Sequence, residues 1–361
     1  MGFWNKKIIN FEDRFFGLDL SDLSVKVFQM EKNGKVDKIR SFCSLDIPEG
    51  YIEDGRMINK EKVAEIIRDA VKKAGPEKIN TRKVICSIPE SKAFLRIISV
   101  PKIEKKEAGE AIKWEIEANI PLSVDQVYFD WQFLEEIEGK QNVLTVAVSR
   151  EIIDDTVSVL EGAGLEVYGM EIESVASARS LIAQNSPEEG NFLMVDLGEK
   201  KTSFIITEGN IPYFTSSIPF SSQGITDVIS KSLGVEKKEA EKIKISQGIE
   251  HSFENSSIFN SVKPLLENLS GEIEKTVDFY KSMSGEKKDI QKIIMCGGGS
   301  NLKGMASYLT TRLSREVVIG DPWTNFDLGN NLPPINKESS IRYSTAVGLA
   351  LGAQKDYGTE N

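Results

Sequence analysis

Two acidic residues, Asp19 and Asp196, each lie near the end of an apolar run that leads into a short turn and a second run. The segments concerned are 17–26 and 195–203. Successive main-chain N–H groups in such a turn can form a nest that binds an anion. A carboxylate at the strand end can hold hydrated Mg²⁺, because this ion keeps several waters and takes one or two carboxylates. The two segments therefore predict that two turns bind a polyphosphate and its magnesium ion from opposite sides.

A third segment, 294–304, carries three consecutive glycines at 297–299 after an apolar run. Glycines allow the backbone to approach a planar base or a phosphate closely, and the helix that follows would present its N-terminus. Each segment by itself is also typical of an ordinary cap or loop. Their order and separation together favour a ligand site. Asp19 and Asp196 lie 177 residues apart, which indicates a duplicated fold with the ligand between its halves.

Apolar periodicity predicts the elements that hold these segments in place. Strand–turn–strand units are expected at 15–27 and 192–207. A separate small α+β unit is expected between them, with a helix at 104–119, strands at 127–134 and 142–148, and a helix at 151–163. Three of its aromatic residues, Trp114, Phe129 and Trp131, are predicted to form its core rather than a peptide groove.

The composition excludes several classes of protein. The chain has 361 residues and a net charge of −10, which argues against a nucleic-acid binder that works through bulk charge. The longest nearly apolar stretch, 345–353, is about half of the roughly 20 residues that a membrane-spanning helix needs. Cys43, Cys86 and Cys296 are widely spaced and fit reduced thiols better than disulfides or a zinc site. The single histidine, His251, excludes sites that need two or more histidines.

The three segments resemble motifs of the actin-like ATPase superfamily. Segments 17–27, 193–206 and 293–305 are similar to its first phosphate, second phosphate and adenosine motifs. Segments 173–178 and 239–244 resemble a connecting helix and a helix that borders the adenosine. The resemblance implies the α/β, actin-like (ribonuclease H-like) two-lobed ATPase fold, with ATP and Mg²⁺ as cofactors.

The same resemblance implies two sets of site residues. The expected magnesium ligands are Asp19, Asp196 and, through water, Glu173. The expected nucleotide-binding residues are Ser21, Asp22, Ser24, Lys26, Gly198, Glu199, Lys200, Lys201, Thr202, Glu241, Lys244, Gly297, Gly298, Gly299 and Ser300. No residue matches a water activator, so ATP binding with weak or no hydrolysis is expected.

Both turns depart from the superfamily pattern. Glu199 stands among residues that are usually small, and we expect it to repel phosphate while Lys200 or Lys201 compensates. Ser21-Asp22 replaces the usual Gly-Ser/Thr pair and adds a carboxylate near the phosphates.

Further residues resemble the subdomain that the PilM and FtsA families insert into this fold, at 111–115, 120–122, 128–131, 143–147 and 164–167. The resemblance covers about 14–353, and the length and C-terminal sequence favour the PilM family. It implies a first lobe (12–88, 166–190 and 340–361), an inserted α+β subdomain (89–165) and a second lobe (191–247 and 288–339) with a helical part (248–287). Residues 1–11 are expected to form an N-terminal arm on the first sheet or a short amphipathic membrane foot.

For function, the resemblance implies an ATP-binding cytoplasmic adaptor in the assembly of type IV pili or a related secretion or DNA-uptake machine. Its partner would be the N-terminal peptide of a PilN-like inner-membrane protein, which would recruit it to the inner face of the cytoplasmic membrane. Two alternatives stay open: a membrane-associated, filament-forming ATPase of the FtsA or MreB kind, and a small-molecule kinase on the same fold.

Overall fold

The computed structural model describes residues 14–33, 36–101, 105–119, 123–137, 139–184, 190–249, 257–284, 288–329 and 333–356. The predicted N-terminal arm at 1–11 and His251 lie outside the described residues. The strands are β1 (Phe16–Leu20), β2 (Ser24–Asn33), β3 (Val36–Asp46), β4 (Ile52–Glu53), β5 (Arg56–Met57), β6 (Gly75–Pro76), β7 (Lys83–Ile88), β8 (Ala93–Pro101), β9 (Val127–Ile137), β10 (Lys140–Ser149), β11 (Glu166–Ile172), β12 (Asn191–Leu197), β13 (Thr202–Glu208), β14 (Ile211–Ile218), β15 (Lys292–Cys296) and β16 (Val317–Ile319). The helices are α1 (Lys60–Lys73), α2 (Lys105–Asn119), α3 (Arg150–Gly162), α4 (Glu173–Leu181), α5 (Ser222–Leu233), α6 (Lys237–Gln247), α7 (Ser257–Met283), α8 (Met305–Leu313), α9 (Lys337–Ser340) and α10 (Ser344–Asp356).

Two sheets repeat one topology. In the first, with order β11-β7-β1-β2-β3-β6, strands β1 to β3 form an antiparallel meander, and β7 and β11 extend it in parallel from β1. In the second, with order β14-β13-β12-β15-β16, strands β12 to β14 form the meander, and β15 and β16 extend it in parallel. The predicted duplication is therefore confirmed, as are the two strand–turn–strand units.

Helices cover both sheets, and their buried faces follow from sequence spacing. Helix α1 is capped by Asn59, whose side chain accepts the N–H of Lys62, and it buries Val63, Ile67 and Ala70 at helical intervals. These residues pack with α3 on one face of the first sheet. Helices α5 to α8 cover the outer face of the second sheet. We call the first sheet with α1, α3 and α10 the first lobe, and the second sheet with α5 to α8 the second lobe.

Helices α4 and α10 lie between the two sheets and cross each other closely. A Cβ atom added to Gly348 would lie 1.8 Å from the carbonyl oxygen of Ala176, so the two helix backbones touch there. The hydroxyls of Ser177 and Thr345 lie 3.1 Å apart across the same contact. Because α4 packs on the second sheet and α10 on the first, this crossing joins the two lobes.

The small unit between β7 and β11 is a three-stranded sheet, β8-β10-β9, with α2 on one face. Phe129 and Trp131 pack against its core as predicted. The prediction for Trp114 is wrong, because its side chain is 70% exposed. Ile112 and Ile116 form the buried face of α2, and a residue halfway between two such positions points to the opposite side of a helix.

The packing of side chains favours two domain boundaries other than the predicted ones. Val159 and Leu160 of α3 lie in the first-lobe core with α1, so we propose that the inserted subdomain ends near residue 150 rather than 165. Trp323 and Ile335 pack against Phe28 of the first sheet, so we propose that the last segment of the first lobe begins before residue 340. Among the helices of the described ranges, none combines the length and apolar character that crossing a bilayer requires.

Candidate functional site

The two predicted acidic residues occupy matching places in the two sheets. Asp19 is the penultimate residue of β1, and Asp196 is the penultimate residue of β12. Each is followed by a short turn, 21–23 in the first lobe and 198–201 in the second. The side chains of both acids line one cleft between the lobes. Sequence reasoning therefore brought together two positions that are 177 residues apart.

Asp19 is held by its own lobe. It is 5% exposed, its Oδ2 atom lies 2.9 Å from Lys26 Nζ, and its Oδ1 atom accepts the Ser87 hydroxyl at 3.1 Å. Ser87 Oγ in turn accepts the N–H of Leu20 at 3.0 Å. Lys26 lies directly opposite Asp19 in the β1–β2 register, so the returning strand supplies the cation. Both carboxylate oxygens are therefore already paired.

The environment of Asp196 is different. Burial, followed by the charge of Asp19, raises its pKa to about 6. Burial and Asp19 also raise the pKa of Glu173, the first residue of α4, whose Oε2 atom accepts the N–H of Glu90 at 3.0 Å. Three carboxyl groups thus face one cleft, and the charge of Asp19 raises the cost of ionising the other two.

This donor set fits a hydrated magnesium ion. In the described part of the chain, no three His, Cys, Asp or Glu side chains converge closely enough to hold a metal directly. Hydrated Mg²⁺ needs only one or two carboxylates, with waters completing its coordination. A nearby cation would favour the charged forms of Asp196 and Glu173, because burial and the charge of Asp19 raise the pKa of both groups.

The turns that line the cleft contain main-chain donors without a hydrogen-bond partner among the described residues. The Ser21 N–H donates to the Ser24 carbonyl and the Gly198 N–H to the Lys201 carbonyl, and each bond closes its turn. None of the hydrogen bonds among the described residues uses the N–H of Asp22, Leu23, Glu199 or Lys200. Consecutive unpaired N–H groups in a turn form an anion nest. Both turns can therefore bind phosphate oxygens.

The glycine segment forms another wall of the cleft. A Cβ atom at Gly297, where φ is +76°, would lie 2.3 Å from Asp196 Oδ1, and one at Gly299 would lie 1.9 Å from Leu197 Cδ2. These two glycines let the loop after β15 contact the end of β12. Gly298 has no heavy atom within 4 Å of its Cβ position and faces the open cleft. A ligand can therefore approach the backbone at Gly298.

The two residues predicted on the adenosine-bordering helix have separate roles. Lys244 is 7% exposed, and its Nζ atom bonds Ser222 Oγ at 2.8 Å, Thr226 Oγ1 at 2.9 Å and Glu241 at 2.7 Å. Since an ammonium group has three N–H donors, Lys244 is fully used in joining α6 to α5 and in pairing with Glu241 of its own helix. Its ion pair fixes the Glu241 carboxylate at the cleft wall.

Most predicted site residues line the cleft, but two do not. The cleft has a volume of about 1380 Å³, more than the roughly 300–1,000 Å³ that is usual for small-ligand sites. The predicted residues in its wall are Asp19, Ser21, Asp22, Ser24, Lys26, Glu173, Asp196, Gly198, Glu199, Lys200, Lys201, Glu241, Lys244, Gly297, Gly298 and Gly299. The hydroxyls of Thr202 and Ser300 are buried instead and donate to the carbonyls of Phe220 and Gly297.

Asp22 lines the cleft and also makes contacts that the sequence did not indicate. Its two carboxylate oxygens accept the N–H groups of Asp54 and Gly55, at 2.9 Å each. This anchors the first-lobe turn to the β4–β5 hairpin. The lysines of the second-lobe turn reach across the cleft: Lys200 Nζ lies 4.0 Å from Asp22, and Lys201 Nζ lies 2.6 Å from Ser91 Oγ.

Sequence reasoning missed three residues of the site. Ser87 pairs with Asp19 from β7, and the fact that parallel strands end at one sheet edge could have indicated it. Arg342 and Lys303 line the cleft as additional cations, from the turn before α10 and the loop before α8. No local pattern distinguishes them, because their place depends on how distant segments pack.

Comparisons with known proteins show the family and the fold of the chain. A family model described as the type IV pilus assembly protein PilM matches residues 17–354. A solved PilM-PilN type IV pilus biogenesis complex contains a chain that superposes with a TM-score of 0.81 at 24% identity, over 97% of this chain and 100% of that chain. MreB5 of Spiroplasma citri, solved with ADP bound, gives a TM-score of 0.56 at 14% identity, over 96% of this chain and 98% of that chain.

A cell division protein, FtsA of Borreliella burgdorferi, is 25% identical over 241 residues, which are 60% of this chain and 54% of the relative. The chain thus spans about half the length of this curated relative. The solved structures confirm the predicted actin-like fold, and the FtsA match agrees with the predicted branch of that superfamily.

Proposed function

Because the chain belongs to the family of the type IV pilus assembly protein PilM, we propose that it is an ATP-binding adaptor for a PilN-like inner-membrane protein. The observation that carries the proposal is the pair of matched turns, each with an acid at its strand end, on two sides of one cleft. The proposed site of action is the inner face of the cytoplasmic membrane, and the proposed partner element is the N-terminal peptide of the PilN-like protein.

The cleft supports ATP with Mg²⁺ as the ligand. The unpaired N–H groups of the turns and the side chains of Lys200 and Lys201 supply donors for phosphate oxygens. Gly298 leaves room for the remainder of the nucleotide against the backbone. Bound Mg²⁺ would neutralise phosphate charge, held through water by Asp196 and Glu173. The fold neighbour MreB5 was solved with ADP, which supports a nucleotide in this fold.

An adaptor role requires less of the cleft than catalysis does. A phosphotransferase needs a positioned base and a substrate pocket, whereas an adaptor needs only that the partner binds one state of the protein more tightly than another. The solved relative is a PilM-PilN complex, which supports a PilN-like partner here. We propose that ATP holds the two lobes together and thereby sets the surface that captures the partner peptide.

Nucleotide binding is tested with Asp196→Ala. We expect calorimetry to show Mg·ATP binding to the wild-type chain and a loss of about 100-fold in affinity in the variant, about 2.7 kcal/mol. The physical reason is that the variant removes the acid best placed to hold the hydrated ion. The control is Asp69→Ala, which removes an exposed acid on α1 that pairs with Lys73 at 3.8 Å and should leave the affinity unchanged.

Two results would contradict the nucleotide proposal: no binding of Mg·ATP by the wild-type chain, or equal affinity in Asp196→Ala. The partner proposal is tested separately, by pull-down with a synthetic N-terminal peptide of the PilN-like protein, with and without ATP. We expect capture to depend on ATP. Absence of capture in both conditions would remove the adaptor role and leave the nucleotide proposal standing.

A further inference from the structure

A single turn joins the cleft to the inserted subdomain. Residues Glu90–Lys92 form one turn of 3-10 helix, which we call the stem turn. The stem turn leads from β7, whose Ser87 pairs with Asp19, into β8, the first strand of the inserted subdomain. Each of its three residues contacts a different part of the cleft wall.

The first contact is with the start of α4. The N–H of Glu90 donates to Glu173 Oε2 at 3.0 Å, and the N–H of Ser174 donates to Glu90 Oε2 at 3.2 Å. Glu90 is 4% exposed, so this reciprocal pair is shielded from water. Glu173 itself lines the cleft. The stem turn is thus anchored to one of the three acids of the site.

The second contact crosses between the lobes. Lys201, in the second-lobe turn, donates from Nζ to Ser91 Oγ at 2.6 Å, although the two residues are 110 positions apart. Lys201 lies in the cleft wall, beside the N–H groups that can hold phosphate. Ser91 offers it only a neutral hydroxyl as acceptor.

The third contact leads to the first-lobe turn. Lys92 pairs with Asp54 of the β4–β5 hairpin. The N–H groups of Asp54 and Gly55 donate to Asp22 in that turn, at 2.9 Å each. Consecutive residues of the stem turn therefore reach Glu173, the second-lobe turn and, through the hairpin, the first-lobe turn.

We propose that the stem turn is a positioning element that transmits occupancy of the cleft to the inserted subdomain, with Lys201–Ser91 as the bond that changes; this inference rests on the proposed function. Charge-assisted hydrogen bonds to phosphate are roughly twice as strong as neutral ones. A bound triphosphate therefore draws the Lys201 ammonium away from the Ser91 hydroxyl. The stem turn loses its bond to the second lobe and keeps those to Glu173 and Asp54.

The coupling acts in both directions. A ligand that changes the affinity for a second ligand must itself be affected by the same factor. A partner that binds the inserted subdomain and favours a released stem turn will therefore strengthen ATP binding. A partner that favours the intact Lys201–Ser91 bond will weaken ATP binding by the same rule.

The test is amide hydrogen exchange of the full chain, with and without saturating Mg·ATP. The informative amides are those of Glu90, Lys92 and Ala93, which donate to Glu173 and to the carbonyls of Pro89 and Glu90. We expect Mg·ATP to raise their exchange several-fold in the wild-type chain, because the turn opens more often once Ser91 is released.

The key variant is Ser91→Ala, which removes the acceptor of Lys201 and leaves the other stem contacts in place. Without ATP, its stem amides should already exchange as fast as those of the ATP-bound wild type, and Mg·ATP should add little. The matched control is Ser123→Ala in the inserted subdomain, since Ser123 makes no side-chain cap bond there. It should behave as the wild type does.

Two outcomes would overturn the inference: unchanged stem exchange in a wild-type chain that calorimetry shows to be saturated with ATP, or a full ATP-dependent increase in Ser91→Ala. Neither outcome would contradict the proposed nucleotide site. If calorimetry shows no ATP binding at all, the proposed function and this inference both fail. The two failures are therefore distinguished by the binding measurement.

Discussion

In the first lobe, Asp19 faces Lys26 across the β1–β2 pair, whereas at the matching place in the second lobe Asp196 faces Ser203 across the β12–β13 pair. The backbone plan is the same, but the charges differ. Asp19 has both oxygens paired within its own lobe. Asp196 has no ion pair among the described residues, and its pKa is raised.

This difference shows how a duplicated fold can divide the work of one site. The first-lobe acid is paired with a resident cation, Lys26, so it contributes structure as well as charge. The second-lobe acid lacks such a cation and is the better place for an incoming one. The two turns also differ in where their charged side chains bind. Asp22 anchors its turn within the first lobe, whereas Lys200 and Lys201 reach across the cleft.

The largest effect on stability is expected from Lys26→Met. The variant leaves the buried Asp19 carboxylate with Ser87 as its remaining partner, and breaking a buried pair on one side costs about 3–5 kcal/mol. Urea denaturation measures the change. Ser203→Ala, at the matching place in the second lobe, should cost less than about 1 kcal/mol, since it removes one hydroxyl contact.

A double variant strengthens this test. Lys26→Met combined with Asp19→Asn removes the unpaired charge, so the double variant should be more stable than Lys26→Met alone. If Lys26→Met unfolds at the same urea concentration as the wild type, the pair does not hold the first lobe. The contrast between the two lobes would then be wrong.

A smaller loss is expected from Asp22→Ala. Its carboxylate accepts two main-chain N–H groups of the β4–β5 hairpin, and hydrogen bonds to a charged group support a cost of about 2 kcal/mol. Thermal and urea unfolding measure it, with Asp22→Asn as a milder comparison that keeps one acceptor oxygen. Unchanged stability in Asp22→Ala would mean that the first-lobe turn is not anchored by this side chain.

In the second-lobe turn, Glu199→Gln tests whether the negative charge of Glu199 weakens the binding of phosphate. Removing its negative charge from a turn that is proposed to hold phosphate should strengthen Mg·ATP binding by about threefold, because exposed charges are partly screened by salt. Calorimetry at constant ionic strength measures the change. Weaker binding in this variant would indicate that Glu199 supports the magnesium ion instead of repelling phosphate.

The smallest effect is expected from Lys200→Ala in the absence of nucleotide. Its ion pairs with Asp22 and Glu49 are 4.0 Å long, and Glu49 is largely exposed. Such pairs contribute less than about 0.5 kcal/mol, so the urea midpoint should hardly move. A loss comparable to that of Lys26→Met would show that the cross-cleft contacts stabilise the ligand-free protein, and the proposed contrast between the turns would weaken.

The strand–turn–strand units were predictable because their signal is local. An acid near the end of an alternating apolar run, followed by a turn, locates Asp19 and Asp196 without knowledge of the fold. The family resemblance also implied Thr202 as a nucleotide-binding residue, but neighbouring residues of a strand point to opposite faces. A whole motif of consecutive residues cannot therefore face one ligand, and the hydroxyl of Thr202 is buried against Phe220.

Trp114 shows that apolar character can mislead where spacing is informative. Ile112 and Ile116 are one helical turn apart and form the buried face of α2. Their spacing already places Trp114 on the outer side of the helix, but its size suggested a core position.

The contact between Ser91 and Lys201 had no sequence signal at all, because only the packing of the lobes brings these residues together.

The close crossing of α4 and α10 limits how the molecule can change shape. At Gly348 no side chain separates the two helices, so neither can shift toward the other, and the polar contact beside it opposes sliding along the helix axes. We expect a rotation of the lobes about this point to disturb the crossing least. A small angular change at such a pivot becomes a large displacement at the mouth of the cleft, far from the axis.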